Sequence, residues 1–303
     1  MRVGIIDLGA NSFHLVIYDV LSRGKYIPLK RRSYVNSLGS FLSINPRIPS
    51  SEIKKSAGSV DSLCRYARLN KVNCIKIFGT SIFRRARNSM QLIDAIFRKT
   101  GLVVDVLSED DEVKIIFGAV KNKYELKSNS LIIDIGGGSS EFIIARGKKI
   151  KWAKSIPSGV AYIREELKKS KTIGIKWFRA NIFSNYKGVI SYLAKKKFDA
   201  CYGTCGFLRY FAFEYKKEEM KGNKNFEKPI PLNIKEIKDV LISSKPNIHD
   251  MDVNKRENIV YAGSFVLSYI MDKLRVKEIL VSSASSREGY LLKLMRKNLT
   301  LCC

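Results

Sequence analysis

LIIDIGGGSSEFIIAR, residues 131–146, decides the reading of the whole chain. Its apolar opening reads as a buried strand, the glycines Gly136, Gly137 and Gly138 make a turn, and a second apolar run leads away from it. A glycine turn between two strands can bring bare backbone N–H groups against a ligand because no Cβ stands in the way. Asp134 and Glu141 flank the turn. Carboxylates beside an anion repel it unless a cation such as Mg²⁺ lies between them, so the stretch predicts a combined metal and phosphate site.

The same pattern stands at the head of the chain, at an offset of 127 residues. Asp7 falls on Asp134, Gly9 on Gly136, Ser12 on Ser139 and His14 on Glu141. A strand, a small-residue turn and a strand thus occur twice, once in each half, which predicts a duplicated hairpin-plus-sheet unit. The turns offer backbone N–H groups, Asn11 and the hydroxyls of Ser12, Ser139 and Ser140 as a phosphate cradle. Asp7 and Asp134 precede the two turns at matching places, where a hard divalent cation is the natural partner for a buried carboxylate, with Glu141 as a further ligand. The alternative for each aspartate is a cap on the N–H groups of its own turn, and for Glu141 an outward-facing place on an alternating strand.

The 303 residues suggest two α/β domains, 1–123 and 124–303, with a cleft between them and the last helix free to pack back on the first domain. Strands are expected at 3–6, 73–78, 102–107, 198–202 and 277–281. Helices are expected at 50–70, 82–100, 109–123, 177–196, 234–243, 256–274 and 287–297. Ser108 reads as the cap of the third helix, Gly101 as the stop of the second, and 216–231 as a surface loop. Residues 45–49 and 124–129 read as polar connections, and 148–154 as a basic hairpin tip or strand edge.

Composition narrows the function. No apolar run approaches the ~20 residues of a membrane helix, and the chain reaches Asp7 too soon for a secretory signal, so a cytoplasmic protein is expected. The six cysteines form no C-x-x-C pair and there are only two histidines, which speaks against structural zinc and for reduced thiols, with Cys302 and Cys303 in a tail. The net charge is +27, from 55 basic and 28 acidic residues, a field that draws in polyanions.

A phosphate hydrolase also needs a base for its water. Glu112, in the acidic first turn of 109–123, is the candidate, although acids there also simply favour the helix dipole. Arg84 and Arg287, each beside a turn, are candidates for holding the trailing phosphates, with Arg85 and Arg87 nearby.

Taken together, DLGANSFHLVI (7–17), GTSIFRRARN (79–88), SEDDEVKIIFGAV (108–120), DIGGGSSEFII (134–144), SIPSGVAYIRE (155–165), YGTCGFLR (202–209) and SREGYLL (286–292) resemble the exopolyphosphatase and guanosine pentaphosphate phosphohydrolase (Ppx/GppA) family. That resemblance implies the actin, Hsp70 and sugar-kinase-like (ribonuclease H-like) fold in its short, two-domain form. It implies Mg²⁺-dependent removal of the terminal phosphate of inorganic polyphosphate, other divalent cations being able to substitute. Glu112 matches the family's catalytic glutamate, Asp134 and Gly136 its metal and phosphate hairpin, and Asn11 its first hairpin. Ala10, Cys205, Phe207, Ser285 and Ser286 depart from the family pattern and bear on substrate choice. A guanosine pentaphosphate 5′-phosphohydrolase is the nearest alternative; an actin-like ATPase or sugar kinase, and a polyanion-binding protein without turnover, are alternatives of other classes. Guanosine polyphosphates and a homodimer are the further partners considered, with membrane and nucleic acid set aside.

Overall fold

Strand β1 (Arg2–Leu8) is apolar along nearly its whole length, and the reason is its place in the middle of a sheet covered on both faces. The computed structural model describes residues 1–22, 24–41, 46–173, 175–216, 227–243 and 256–296. These divide into two compact units, 1–119 with 286–303, and 120–285.

In the first unit β1, β2 (Ser12–Ser22) and β3 (Lys25–Val35) form an antiparallel meander. Helix α1 (Ser50–Leu69) leads to β4 (Cys74–Gly79), which lies parallel to β1. Short α2 (Ser81–Arg85), α3 (Ser89–Thr100), β5 (Val104–Val106) and α4 (Glu109–Lys123) follow, and the sheet order is β3-β2-β1-β4-β5. Alternation along the strands sends Ile6, Leu8, Leu15 and Ile17 into one core with Ile53, Val60, Leu63, Leu92 and Ile96. Val3, Ile5, Val16 and Tyr18 go into the other.

The second unit repeats the scheme. Strands β6 (Ser130–Ile135), β7 (Ser140–Arg146) and β8 (Lys149–Ile156) form the meander, and α5 (Val160–Ile173) and α6 (Ile175–Leu193) follow. Then come β9 (Ala200–Gly203), α7 (Gly206–Tyr215), β10 (Ile230–Asn233), α8 (Ile234–Ser243), α9 (Arg256–Leu274) and β11 (Glu278–Val281). The order β8-β7-β6-β9-β11 copies that of the first sheet, with β10 added at its edge. Two such mixed sheets with helices make the duplicated α/β architecture that the repeated hairpin predicts. The last helix, α10 (Ser286–Arg296), belongs to the first unit, where Leu291, Leu294 and Met295 complete the core of Val3 and Ile5. Among the described residues no helix is long and apolar enough to cross a membrane.

Several local expectations hold. Ser108 Oγ accepts the Asp111 N–H at 3.1 Å, and Gly101 ends α3 in the left-handed region with φ 71°. Others need correction. Strand β3 was not expected: KYIPLKRRSYV is largely exposed and contains Pro28, so no period-two burial marks it, and pairing with β2 makes it a strand. The basic stretch 148–154, expected as a hairpin tip or strand edge, does run from the tip at Lys148 into the edge strand β8. The single helix expected over 82–100 is two, because Ala86 is extended and the Asn88 amide clamps the Ile48 backbone, accepting from its N–H at 2.8 Å and donating to its carbonyl at 2.9 Å. The strand expected over 102–107 shortens to β5. Ile230 and Pro231, expected in a loop, lie in β10; 217–226, Asn45, Cys302 and Cys303 lie outside the described residues.

One glycine is dictated by packing. A Cβ on Gly289 of α10 would lie 1.8 Å from the Ile115 carbonyl oxygen of α4, so the helices cross at backbone contact. Around that crossing Tyr290 donates to Asp105 at 2.9 Å and Lys293 pairs with Asp111 at 3.2 Å. Gly289→Ala must push α10 off α4, and a loss of about 2–4 kcal/mol is expected in urea unfolding. Ala substitution at half-buried Lys293 on the same helix, whose ion pair with Asp111 is open to solvent on one side, should cost about 1 kcal/mol or less.

Candidate active site

The two glycine hairpins have the same geometry. Asp7 is the register partner of His14 and Asp134 of Glu141, so each aspartate shares a face with the residue seven places on. The Gly9 N–H donates to the Ser12 carbonyl at 3.2 Å, and the Gly136 N–H to the Ser139 carbonyl at 2.9 Å. The repeat seen as an offset of letters is therefore a repeat of hydrogen bonds.

In the second unit the hairpin is braced by α5. The carbonyls of Gly136 and Gly137 accept the N–H groups of Val160 and Ala161, both at 2.8 Å. This seats the turn so tightly that a Cβ on Gly159 would stand 2.6 Å from their backbone atoms. Buried Ser140 donates to the Ser158 carbonyl at 2.5 Å and lies 3.1 Å from the Tyr186 hydroxyl, so its hydroxyl is engaged inside the unit. Ser139 is buried beside it. Asp134 accepts the Thr204 hydroxyl at 2.6 Å, and buried Glu141 accepts Ser155 at 2.9 Å. Arg209 ties the turn after β9 to the turn after β11, donating to the carbonyls of Thr204 and, at 3.1 Å, Ala284. Phe207 is packed into the core against Gly263.

The first unit places its candidates at the carboxyl ends of β1, β4 and β5, where ligands of open α/β sheets bind. Asp7 Oδ2 accepts Ser286 Oγ and Arg287 Nη1, both at 3.1 Å, and both ionic side chains are 13% exposed. Glu112 is 8% exposed and meets Arg84 Nη1 at 2.9 Å. Arg84 also donates to the Leu107 carbonyl at 2.8 Å. Ser12 Oγ lies 2.6 Å from His14 Nε2. Asn11 is half-buried, and its carbonyl accepts the N–H groups of Asn36 and Ser37.

The pairings change what some of these residues are. Arg84 and Arg287 are not solvated surface cations: each is held by a buried candidate acid. Thr204, Ser155, Ser286 and Arg209 emerge as the partners that fix the acids and turns. All four lie in stretches that carry the family resemblance: Ser155 opens SIPSGVAYIRE, Thr204 and Arg209 stand in YGTCGFLR, and Ser286 opens SREGYLL. Asp134 and Glu141, adjacent across the β6–β7 ladder, are an oxygen-only donor pair. That donor chemistry fits Mg²⁺, which takes one or two carboxylates and fills its shell with water and phosphate oxygens. Among the described residues no group of three or more His, Cys, Asp or Glu side chains converges as a metal cage.

Comparison with known proteins gives the following. The family model described as "Ppx/GppA phosphatase family" matches residues 16–298. A protein named "Exopolyphosphatase 1" from Mycobacterium tuberculosis is 26% identical over 167 residues, 55% of this chain and 48% of that protein. A "Guanosine-5'-triphosphate,3'-diphosphate pyrophosphatase" from Vibrio vulnificus is 26% identical over 210 residues, 67% of this chain and 41% of that one. The chain thus spans about half the length of the curated relatives it matches. A crystal structure of an exopolyphosphatase from Cytophaga hutchinsonii superposes over 100% of both chains with a TM-score of 0.81 at 19% identity, which shows the shared fold.

Two measurements check this geometry. Arg84→Met leaves Glu112 buried without its guanidinium, and unfolding should show a loss of about 1–3 kcal/mol, reduced by the partial exposure of the pair. Adding Glu112→Gln should restore part of it. Burial pushes the Cys201 thiol up to about 12 and Cys205 further, the latter helped by the Asp134 charge. Both should resist alkylation at pH 8 in the folded protein and react only on unfolding.

Proposed function

The chain belongs to the Ppx/GppA phosphatase family, and on that premise we propose that it hydrolyses the terminal phosphoanhydride of inorganic polyphosphate and releases orthophosphate. The observation that carries the reading is the pair of matched hairpins, each with an aspartate before its turn, together with a buried glutamate at the start of α4. In this reading Glu112 orients and deprotonates the attacking water. Arg84 fixes its carboxylate, and because a guanidinium has five N–H donors, it keeps some for a phosphate oxygen. Arg287 does the same from its pairing with Asp7. Asn11 and Ser12 of the first hairpin, and Ser139 with the backbone of Gly136, Gly137 and Gly138 of the second, are the groups offered to phosphate and to charge on the transferring group, while the Ser140 hydroxyl, expected among them, is engaged inside its unit.

Asp134 and Glu141 would hold Mg²⁺, whereas Asp7, expected as a further ligand, is answered by Ser286 and Arg287. When bound, the metal would neutralise phosphate charge that the carboxylates otherwise repel. The proposed setting is the cytoplasm, in keeping with the buried thiols of Cys64, Cys74, Cys201 and Cys205, which form no disulfide. A second reading, a guanosine pentaphosphate 5′-phosphohydrolase using the same groups, is favoured by the similarity to the Vibrio vulnificus protein.

The test is phosphate release from polyphosphate with Mg²⁺. The wild type should turn over, Glu112→Gln should be slower by about 10²–10⁴-fold, and chelation of the metal should stop the reaction. No release by the wild type, or equal release by both, overturns the proposal. Faster turnover of pppGpp than of polyphosphate would favour the second reading.

A further inference from the structure

The edge of the second sheet carries a cationic surface that the proposed chemistry does not use. Strand β8 is the last strand of its sheet, and Lys149, Lys151 and Lys154 on it are exposed, as are Arg146 and Lys148 at the hairpin tip. No acid interrupts residues 146–156. Lys151 is the extra residue of a bulge, lying between the pairs Ile144–Trp152 and Ala145–Ile150, a placement that re-aims a side chain.

Lysines on an edge strand also keep sheets from pairing with one another, and that accounts for β8 taken alone. It does not account for what stands beside it. Trp152 of β8 stacks on Tyr192 near the end of α6, with ring centroids 4.6 Å apart and planes inclined by 27°. The stack brings the exposed run Lys195, Lys196 and Lys197 alongside the strand, and Lys196 Nζ stands 5.1 Å from the Tyr192 ring centroid. Residues 187–198 contain no acid either. Asp199, the next one along, is turned to Ser128 Oγ at 2.6 Å and the Asn129 N–H at 2.8 Å. Two elements far apart in sequence thus contribute cations of one sign to one face, fastened by an aromatic stack.

We propose that this face is an exosite for inorganic polyphosphate, holding part of a long chain away from the phosphate being hydrolysed. The inference rests on the substrate class proposed above. A linear polyanion with a charge on every phosphate fits a row of flexible ammonium groups, which bind as point charges and need no fixed ligand geometry. Such binding releases counterions and falls steeply with salt.

The test is fluorescence anisotropy of end-labelled long-chain polyphosphate with the full chain in EDTA, where turnover is stopped. The variant Lys149→Glu/Lys151→Glu/Lys154→Glu should bind at least about tenfold more weakly at low salt, with a shallower salt dependence. Lys195→Gln/Lys196→Gln/Lys197→Gln should weaken binding several-fold. A control, Lys228→Glu/Lys235→Glu, changes exposed lysines elsewhere in the same unit and should bind as wild type. All the altered side chains are exposed, and unchanged thermal melts would confirm folding. Binding that is lost in the β8 variant while no variant releases phosphate would uphold the exosite and defeat the hydrolase reading. Equal binding by the β8 variant and wild type, equal weakening by the control, or equally tight single-stranded RNA of matched charge would overturn the exosite.

Discussion

A carboxylate withdrawn from water has to be answered by a donor or a cation, and the acids at the strand ends impose that demand on everything near them. Asp7 is answered by Ser286 and Arg287, Glu112 by Arg84, Asp134 by Thr204 and Glu141 by Ser155. Each partner comes from a different element than the acid it meets. The acids therefore act as fasteners inside their units as well as groups for chemistry. An arginine already anchored by a carboxylate loses less freedom when it also binds a phosphate, which is how a fold prepares an anion site.

Close backbone approach supplies the second constraint. Gly159 lets the start of α5 rest on the carbonyls of Gly136 and Gly137, and Gly289 lets α10 cross α4 at Ile115. The glycine hairpin thus has a rigid support, and α4, which carries Glu112, is pinned by α10. A side chain at either position would push these backbones apart.

Much of the architecture was legible as pattern. The extents of α8 and α9 follow from helical spacing, and β1, β2, β6 and β7 from apolar runs around small-residue turns, because buried elements write their faces into the chain. Strand β3 did not show because an exposed edge strand buries too little to be periodic. The break between α2 and α3 did not show because it depends on Asn88 reaching Ile48, 40 residues away. Among the candidate site residues, the types and the repeat were visible in one dimension. That Arg84 and Arg287 stand on Glu112 and Asp7 was not, since nothing in the spacing of 84 and 112, or of 7 and 287, ties them.

By itself the sequence determined the duplicated hairpins, the acids that precede their turns and the strongly cationic surface, because these are local patterns or sums over composition. Only the tertiary structure decided which donor answers each acid, that β8 and the end of α6 share one basic face, and that LIIDIGGGSSEFIIAR rests its turn on α5. Those depend on which distant segments the sheets and helices bring within hydrogen-bonding or stacking distance, and spacing along the chain carries no record of that.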